Sequence, residues 1–217
     1  MNTAKYLDNQ PIFALNPDPE HIDGVLLPFA IDEFSHDFER SLQQRQAIKS
    51  VTMAEARLHN GQSLLGFNDL FIGSQSHVSA RYQISIGPLH EHQSSSGIII
   101  STGAGSTGWM RSVFSGAAAV IEALGGSVNM PPHYGQQDWG SNQLSYAVRE
   151  PFPSKTTGTS LVFGQIDEHQ KLSIESHMAD HGVIFSDGIE SDYLAFNAGS
   201  TVSVGIADKK ARMLVKD

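Results

Sequence analysis

The spacing of apolar positions changes along the chain, and each change predicts an element. Pro11 to Asn16 reads as a buried strand closed by Pro17 and Pro19, Gly24 to Leu27 as a second short strand, and Ala4 to Leu7 as the last turn of a helix. Ile31, Phe34, Phe38 and Leu42 recur at helical spacing, with Asp32 and Glu33 in the first turn, where the helix dipole favours acids. From Ala47 to Ile86 the period is that of strands: Val51 to Leu58, Ser63 to Phe67 and Asp69 to Ile72, with Asn60-Gly61 marking a hairpin turn. The cleanest alternation is Val78, Ala80, Tyr82, Ile84 and Ile86, interleaved with Ser79, Arg81, Gln83 and Ser85, so one face of that strand is wet or lines a site.

Ser96 to Trp109, SGIIISTGAGSTGW, is the stretch around which the rest is organised. Ile98 to Ile100 form the continuous apolar run of a fully buried strand. Gly103, Ala104, Gly105, Ser106, Thr107 and Gly108 follow with almost no bulk. A helical stripe then runs through Met110, Val113, Phe114, Ala117, Ile121 and Leu124, and stops at Gly125-Gly126. Strand, glycine loop and helix in that order suit an anion or a ribose phosphate, because the backbone can approach closely while N–H groups and the positive helix end face the ligand. The same loop also serves tight strand-to-helix packing. On the first alternative, Gly105→Val is expected to abolish binding in a protein that still folds.

After that helix, Pro131 to Ser141 is an irregular polar loop, and the remainder returns to strands: Leu161 to Ile166, Leu172 to Ser176, Gly182 to Ser186, Tyr193 to Phe196, Thr201 to Ile206 and Ala211 to Val215. Many short, antiparallel-looking strands around one long helix predict an α+β, mainly β fold and not a doubly wound sheet.

Composition narrows the function classes. A chain of 217 residues with 40% hydrophobic and 17% charged residues is that of a soluble globule able to bury a core. A formal net charge of −9, with 14 Lys and Arg and no basic run, argues against nucleic acid as a partner. The absence of cysteine excludes disulfides, thiolate zinc sites and a cysteine nucleophile. No apolar run approaches the ~18 residues of a membrane span, and MNTAKYLDNQ is no signal peptide, so no membrane and a cytoplasmic location are expected.

Several patterns carry candidate chemistry. Gly103-x-Gly105-x-x-Gly108 matches the dinucleotide fingerprint, but the acid wanted about 20 positions on is missing: Glu122 lies inside the helix, and the strand-like piece Ser127 to Met130 carries Asn129. No Lys follows the glycines, which excludes a Walker loop. Asn68-Asp69, between apolar pieces, either forms a turn or offers two acceptor-rich side chains to a ribose diol. Asp187-Gly188 is by default a turn. His90 and His92 share an extended face without companions, and His133, His169, His177 and His181 are scattered, so no metal site is expected. No G-x-S-x-G elbow supports a serine hydrolase.

In order, the FND of Phe67 to Asp69, the Ser96 to Trp109 stretch, the long helix, YAVREPFPS and VIFSDGIESDYLAFNAGSTVSV resemble the carboxy-terminal domain of NAD kinases, a superfamily that includes diacylglycerol-type lipid kinases and predicted sugar kinases. The resemblance implies a β-sandwich domain over residues 29–217 and identifies residues 1–28 with the end of an amino-terminal α/β domain. The G-G-D-G-T motif of that amino-terminal domain, with its general-base Asp, lies outside this sequence. It implies the reaction ATP + NAD → ADP + NADP with Mg²⁺, and a homo-oligomer, dimer or tetramer. Residue by residue, Asn68 and Asp69 would hold a ribose and adenine, and Thr102, Gly105, Ser106, Thr107, Gly108 and Trp109 would form the loop on the adenosine and pyrophosphate. Ser96 falls where the family has an Asp that meets the nicotinamide end, Gly108-Trp109 replaces Ala-Tyr, and Asp187 belongs to the family's D-G element. The alternatives are a kinase of another hydroxyl substrate such as a sugar or lipid, a non-catalytic nucleotide-binding module, and a Rossmann oxidoreductase, which needs a parallel sheet around Gly103 to Gly108.

Overall fold

A computed structural model describes residues 2–43, 46–129 and 136–216. Its elements follow the chain as β1 (Pro11–Ile12), β2 (Leu15–Asn16), β3 (Phe29–Ala30), α1 (Phe34–Leu42), β4 (Ala47–Leu58), β5 (Ser63–Gly66), β6 (Asp69–Ser74), β7 (Ala80–Ile86) and β8 (Leu89–Ser95). There follow β9 (Ile98–Ser101), α2 (Trp109–Ala123), β10 (Gln143–Val148), β11 (Phe163–Asp167), β12 (Leu172–Ser176), β13 (Gly182–Ser186), β14 (Ile189–Ala195) and β15 (Thr201–Val215). Short 3-10 turns lie at Asn2–Tyr6 and Ala104–Thr107.

Two antiparallel sheets carry the fold. One runs β5-β4-β15-β12-β7-β8, with β1 added parallel to β15, and the other β11-β10-β9-β6-β13-β14. Alternation explains how they meet. Ala54, Tyr82, Ile84, Ile174 and Val204 point from the first sheet into the same core as Leu70, Ile72, Ile98, Ile100 and Tyr146 from the second. The odd positions of the second sheet, Phe71, Ile99, Ala147 and Val183, face away and are covered by Trp109, Met110, Val113 and Phe114 of α2. All three isoleucines of β9 are therefore fully buried, two on one face and one on the other. The layers are helix, sheet, sheet. The outer face of the first sheet is closed over β4 and β15 by Ala4, Ile12, Ala14 and Leu26, around Met53 and Met213.

Several expectations need correction. Pro11 to Asn16 is two strands joined to different partners, β1 to β15 and β2 to β3. Gly24 to Leu27 is a turn, with Gly24 at φ +61, and the strand comes later at Phe29. Ala4 to Leu7 falls on a 3-10 turn, and Ile31 to Glu33 precede α1. Val78 is outside β7 and 64% exposed, so the alternation begins at Ala80. Thr201 to Ile206 and Ala211 to Val215 are one strand, whose pairing with β4 shifts register between Ile206 and Lys210. Residues 127–129 form no strand, and Met130 and residues 131–135 of the polar loop, His133 among them, lie outside the described residues. Because β9 pairs antiparallel with both neighbours, the Rossmann alternative is excluded. The last turns of α2 leave the sheet behind: Leu124 is 83% exposed. Among the described residues no helix is long and apolar enough to cross a membrane.

Candidate functional site

The register of β6 against β9 divides the sequence-predicted residues into two groups. Asp69 pairs with Ser101 at one end and Ile72 with Ile98 at the other. Asn68, Asp69, Thr102, Gly105, Ser106 and Asp187 gather at the first end. Ser96 and Trp109 line a cavity at the second. Three residue steps of β6 separate Asp69 from Ile72, roughly 10 Å at about 3.3 Å per residue.

At the first end the glycine loop is packed and largely self-satisfied. Thr102 donates its N–H to the Asn68 carbonyl (2.9 Å) and its hydroxyl to the Phe67 carbonyl (2.6 Å), and its Oγ1 accepts the Gly105 N–H (3.1 Å). The Gly108 N–H goes to the Gly105 carbonyl (2.9 Å), and that of Ser106 to Gly103. The Ser106 hydroxyl donates to the Gly103 carbonyl (2.7 Å) and accepts the Gln137 N–H (3.0 Å). A Cβ on Gly105 would stand 1.9 Å from the Asn68 carbonyl oxygen, and one on Gly103 2.0 Å from that of Asp138. Small residues are required here because protein backbone, not a ligand, fills the space. The expectation of a bare amide cradle is corrected for Gly105, Ser106 and Gly108, and the close approach at Gly105 argues against the expectation that Gly105→Val still folds. Thr107 lies on the same 3-10 turn.

Asp187 is a different kind of turn residue from the one its sequence announced. It sits at φ +56 ahead of Gly188 at φ +72, and its carboxylate accepts N–H bonds from Asn68 (2.7 Å), Phe67 (3.2 Å) and Asp69 (3.4 Å). Beside it, the buried Asp69 carboxyl is pushed up to about 6, first by loss of water and then by the Asp187 charge. The Asn68 side-chain oxygen is buried and accepts nothing.

At the second end lies an open cavity of about 330 Å³. Its floor is aromatic. Phe71 of β6 and Phe185 of β13 are direct cross-strand partners, their rings 4.9 Å apart, and Trp109 stacks on Phe71 at 5.7 Å and 10°. The Arg149 guanidinium lies over the Trp109 ring at 5.5 Å. Ser96, Tyr193, His77, Glu150 and Glu190 supply the polar rim. Gly97 makes this possible: its φ is +101, and a Cβ there would strike the Phe71 ring at 2.6 Å. The sequence reading missed Phe71, Phe185, Arg149 and Tyr193. The available signal was Phe71 and Phe185 standing out of phase with the sandwich core.

No protein-family model and no curated protein matches the sequence. Among solved structures, yeast NADH kinase complexed with NADH matches with a TM-score of 0.64 at 16% identity, over 89% of this chain and 53% of that one. The chain thus has an NAD kinase-like fold and spans about half the length of that solved kinase chain.

Proposed function

We propose that this chain is the nucleotide-binding part of an NAD kinase-like phosphotransferase, taking the dinucleotide acceptor of the reaction ATP + NAD → ADP + NADP. The observation that carries the reading is the aromatic cavity at Trp109, in a fold shared with a kinase solved with NADH. A base stacked on the Trp109 face suits the shelf, and Ser96, Tyr193 and Arg149 offer hydrogen bonds and charge to a ribose or phosphate. On this reading Asn68 and Asp69 are the second acceptor group, at the other end of the β6–β9 pairing.

The donor side fits less well. No cluster of three or more His, Asp or Glu among the described residues is arranged to hold a metal ion, so no phosphoryl-transfer step through Mg²⁺ is assigned to them. Because this chain spans about half of the solved kinase, a second reading is a nucleotide-binding module that does not turn over by itself. Calorimetric titration with NAD and NADH, followed by an assay for ATP-dependent NADP formation, separates the two. Binding with turnover supports the kinase, binding alone the module, and absence of both removes the nucleotide. A sugar or lipid acceptor would appear in the same assay run with labelled ATP and those alcohols.

A further inference from the structure

Asp187 does more than close the turn between β13 and β14. Three successive amides, Phe67, Asn68 and Asp69, converge on its carboxylate. Its own N–H returns to the Asp69 carbonyl at 3.1 Å, so the two segments grip each other in both directions. That carboxylate is presented from the left-handed region, which Asp and Asn enter more readily than other side chains. The residue before it is also fixed: the fully buried Ser186 accepts a hydrogen bond from the buried Lys5 ammonium at 2.8 Å, and Lys5 is paired with Asp192 at 2.7 Å.

We propose that Asp187 is a positioning residue for the Asn68–Asp69 pair, its carboxylate holding the three amides so that the Asn68 side-chain oxygen and the buried Asp69 carboxyl stay unspent. The inference rests on the nucleotide reading only for what the pair binds. The grip on the amides stands without it. Lys5 and Asp192 lie beyond Ser186 and are paired, Lys49 and Arg57 of β4 are paired with Asp138 and Glu55, β9 brings only the hydroxyl of Ser101 beside Asp69, and Asp187 accepts the Asp69 N–H itself. Asp187 is therefore the charge that Asp69 feels most directly.

The test compares Asp187→Asn with Asp187→Ala in the full chain. Asn tolerates the left-handed conformation and keeps one side-chain oxygen, so it retains the Asn68 bond while removing the charge. Three readouts are needed: amide hydrogen exchange at residues 67–69, the carbon-13 titration of the Asp69 carboxyl, and NADH affinity. Loss of a charge-assisted bond is expected to speed exchange at Asn68 by about tenfold or more in the Ala variant, with little change in the Asn variant. The Asp69 midpoint is expected to fall in both, because the neighbouring charge is gone. NADH affinity is expected to drop about tenfold for Ala and to be largely rescued by Asn. Unchanged exchange and an unmoved Asp69 midpoint in either folded variant would overturn the proposal. If the Ala variant does not fold, exchange at Phe67 in the Asn variant decides. The Phe67 amide bonds to the carboxylate oxygen other than the one Asn68 uses, so an Asn side chain that keeps the Asn68 bond should speed exchange at Phe67, and unchanged exchange there would overturn the proposal. If the wild-type protein binds no NADH while exchange and titration move as described, the nucleotide reading falls and the positioning role stands.

Discussion

The two ends of the β6–β9 pair use glycine and small residues in opposite ways. At the loop end, Gly103 and Gly105 exist to admit protein backbone, and their neighbouring amides are spent within the chain. At the other end, Gly97 clears room for the Phe71 ring, and the space beyond it stays open over Trp109. A glycine-rich motif therefore marks close approach, but what approaches has to be read from three dimensions. On the proposed reading the glycine loop is the packed frame, and the open aromatic cavity is where a base would settle.

The contrast can be broken most forcefully at Gly105. Gly105→Val is expected to cost at least about 3 kcal/mol and to yield little folded protein, because its Cβ would meet backbone and not a flexible side chain. A Val variant with an unchanged melting temperature would return the loop to the ligand. Next comes Asp69. Its carboxyl is raised in the folded state, so its contribution to stability is full below about pH 4 and is lost as pH rises through about 6. Asp69→Asn should remove that loss and leave the variant on the order of 2 to 3 kcal/mol more stable than wild type at pH 8, with no such gain at pH 4, in paired denaturant titrations. Equal curves at both pH values would place Asp69 in water.

The aromatic end is probed by Trp109→Ala. Removing a stacking face should weaken nucleotide binding by about 1 to 3 kcal/mol, read by calorimetry, while the loop end stays intact. The smallest effect is expected from Lys49→Gln. Lys49 meets Asp138 at 2.7 Å beside Gly103, but both side chains are open to solvent, so the change should stay below about 1 kcal/mol in denaturant unfolding. A larger loss would mean that the packed end is held by charge as well as by shape.

Much of the architecture was legible in the chain because burial writes a period. The isoleucines of β9, the Ala80 to Ile86 alternation and the Asn60-Gly61 hairpin all recovered their elements. What escaped has physical reasons. Gln143 to Val148 lacks a simple alternation because β10 is central and buried on both faces. β15 hid as two strands because a register shift interrupts its period. The candidate site was half legible. Ser96 and Trp109 were named, but Phe71 and Phe185 read as ordinary core until the register showed them side by side. Asp187 looked like a turn residue because its partners are backbone amides about 120 positions away, which no local pattern encodes.

The central claim is that a nucleotide settles on the Trp109 shelf. The sequence holds two tryptophans, so Trp139→Phe leaves Trp109 as the sole indole reporter at that cavity. Titration of this variant with NADH should quench Trp109 emission along a saturable curve that NAD displaces. Emission that stays flat, or falls only linearly with absorbance, would contradict the account.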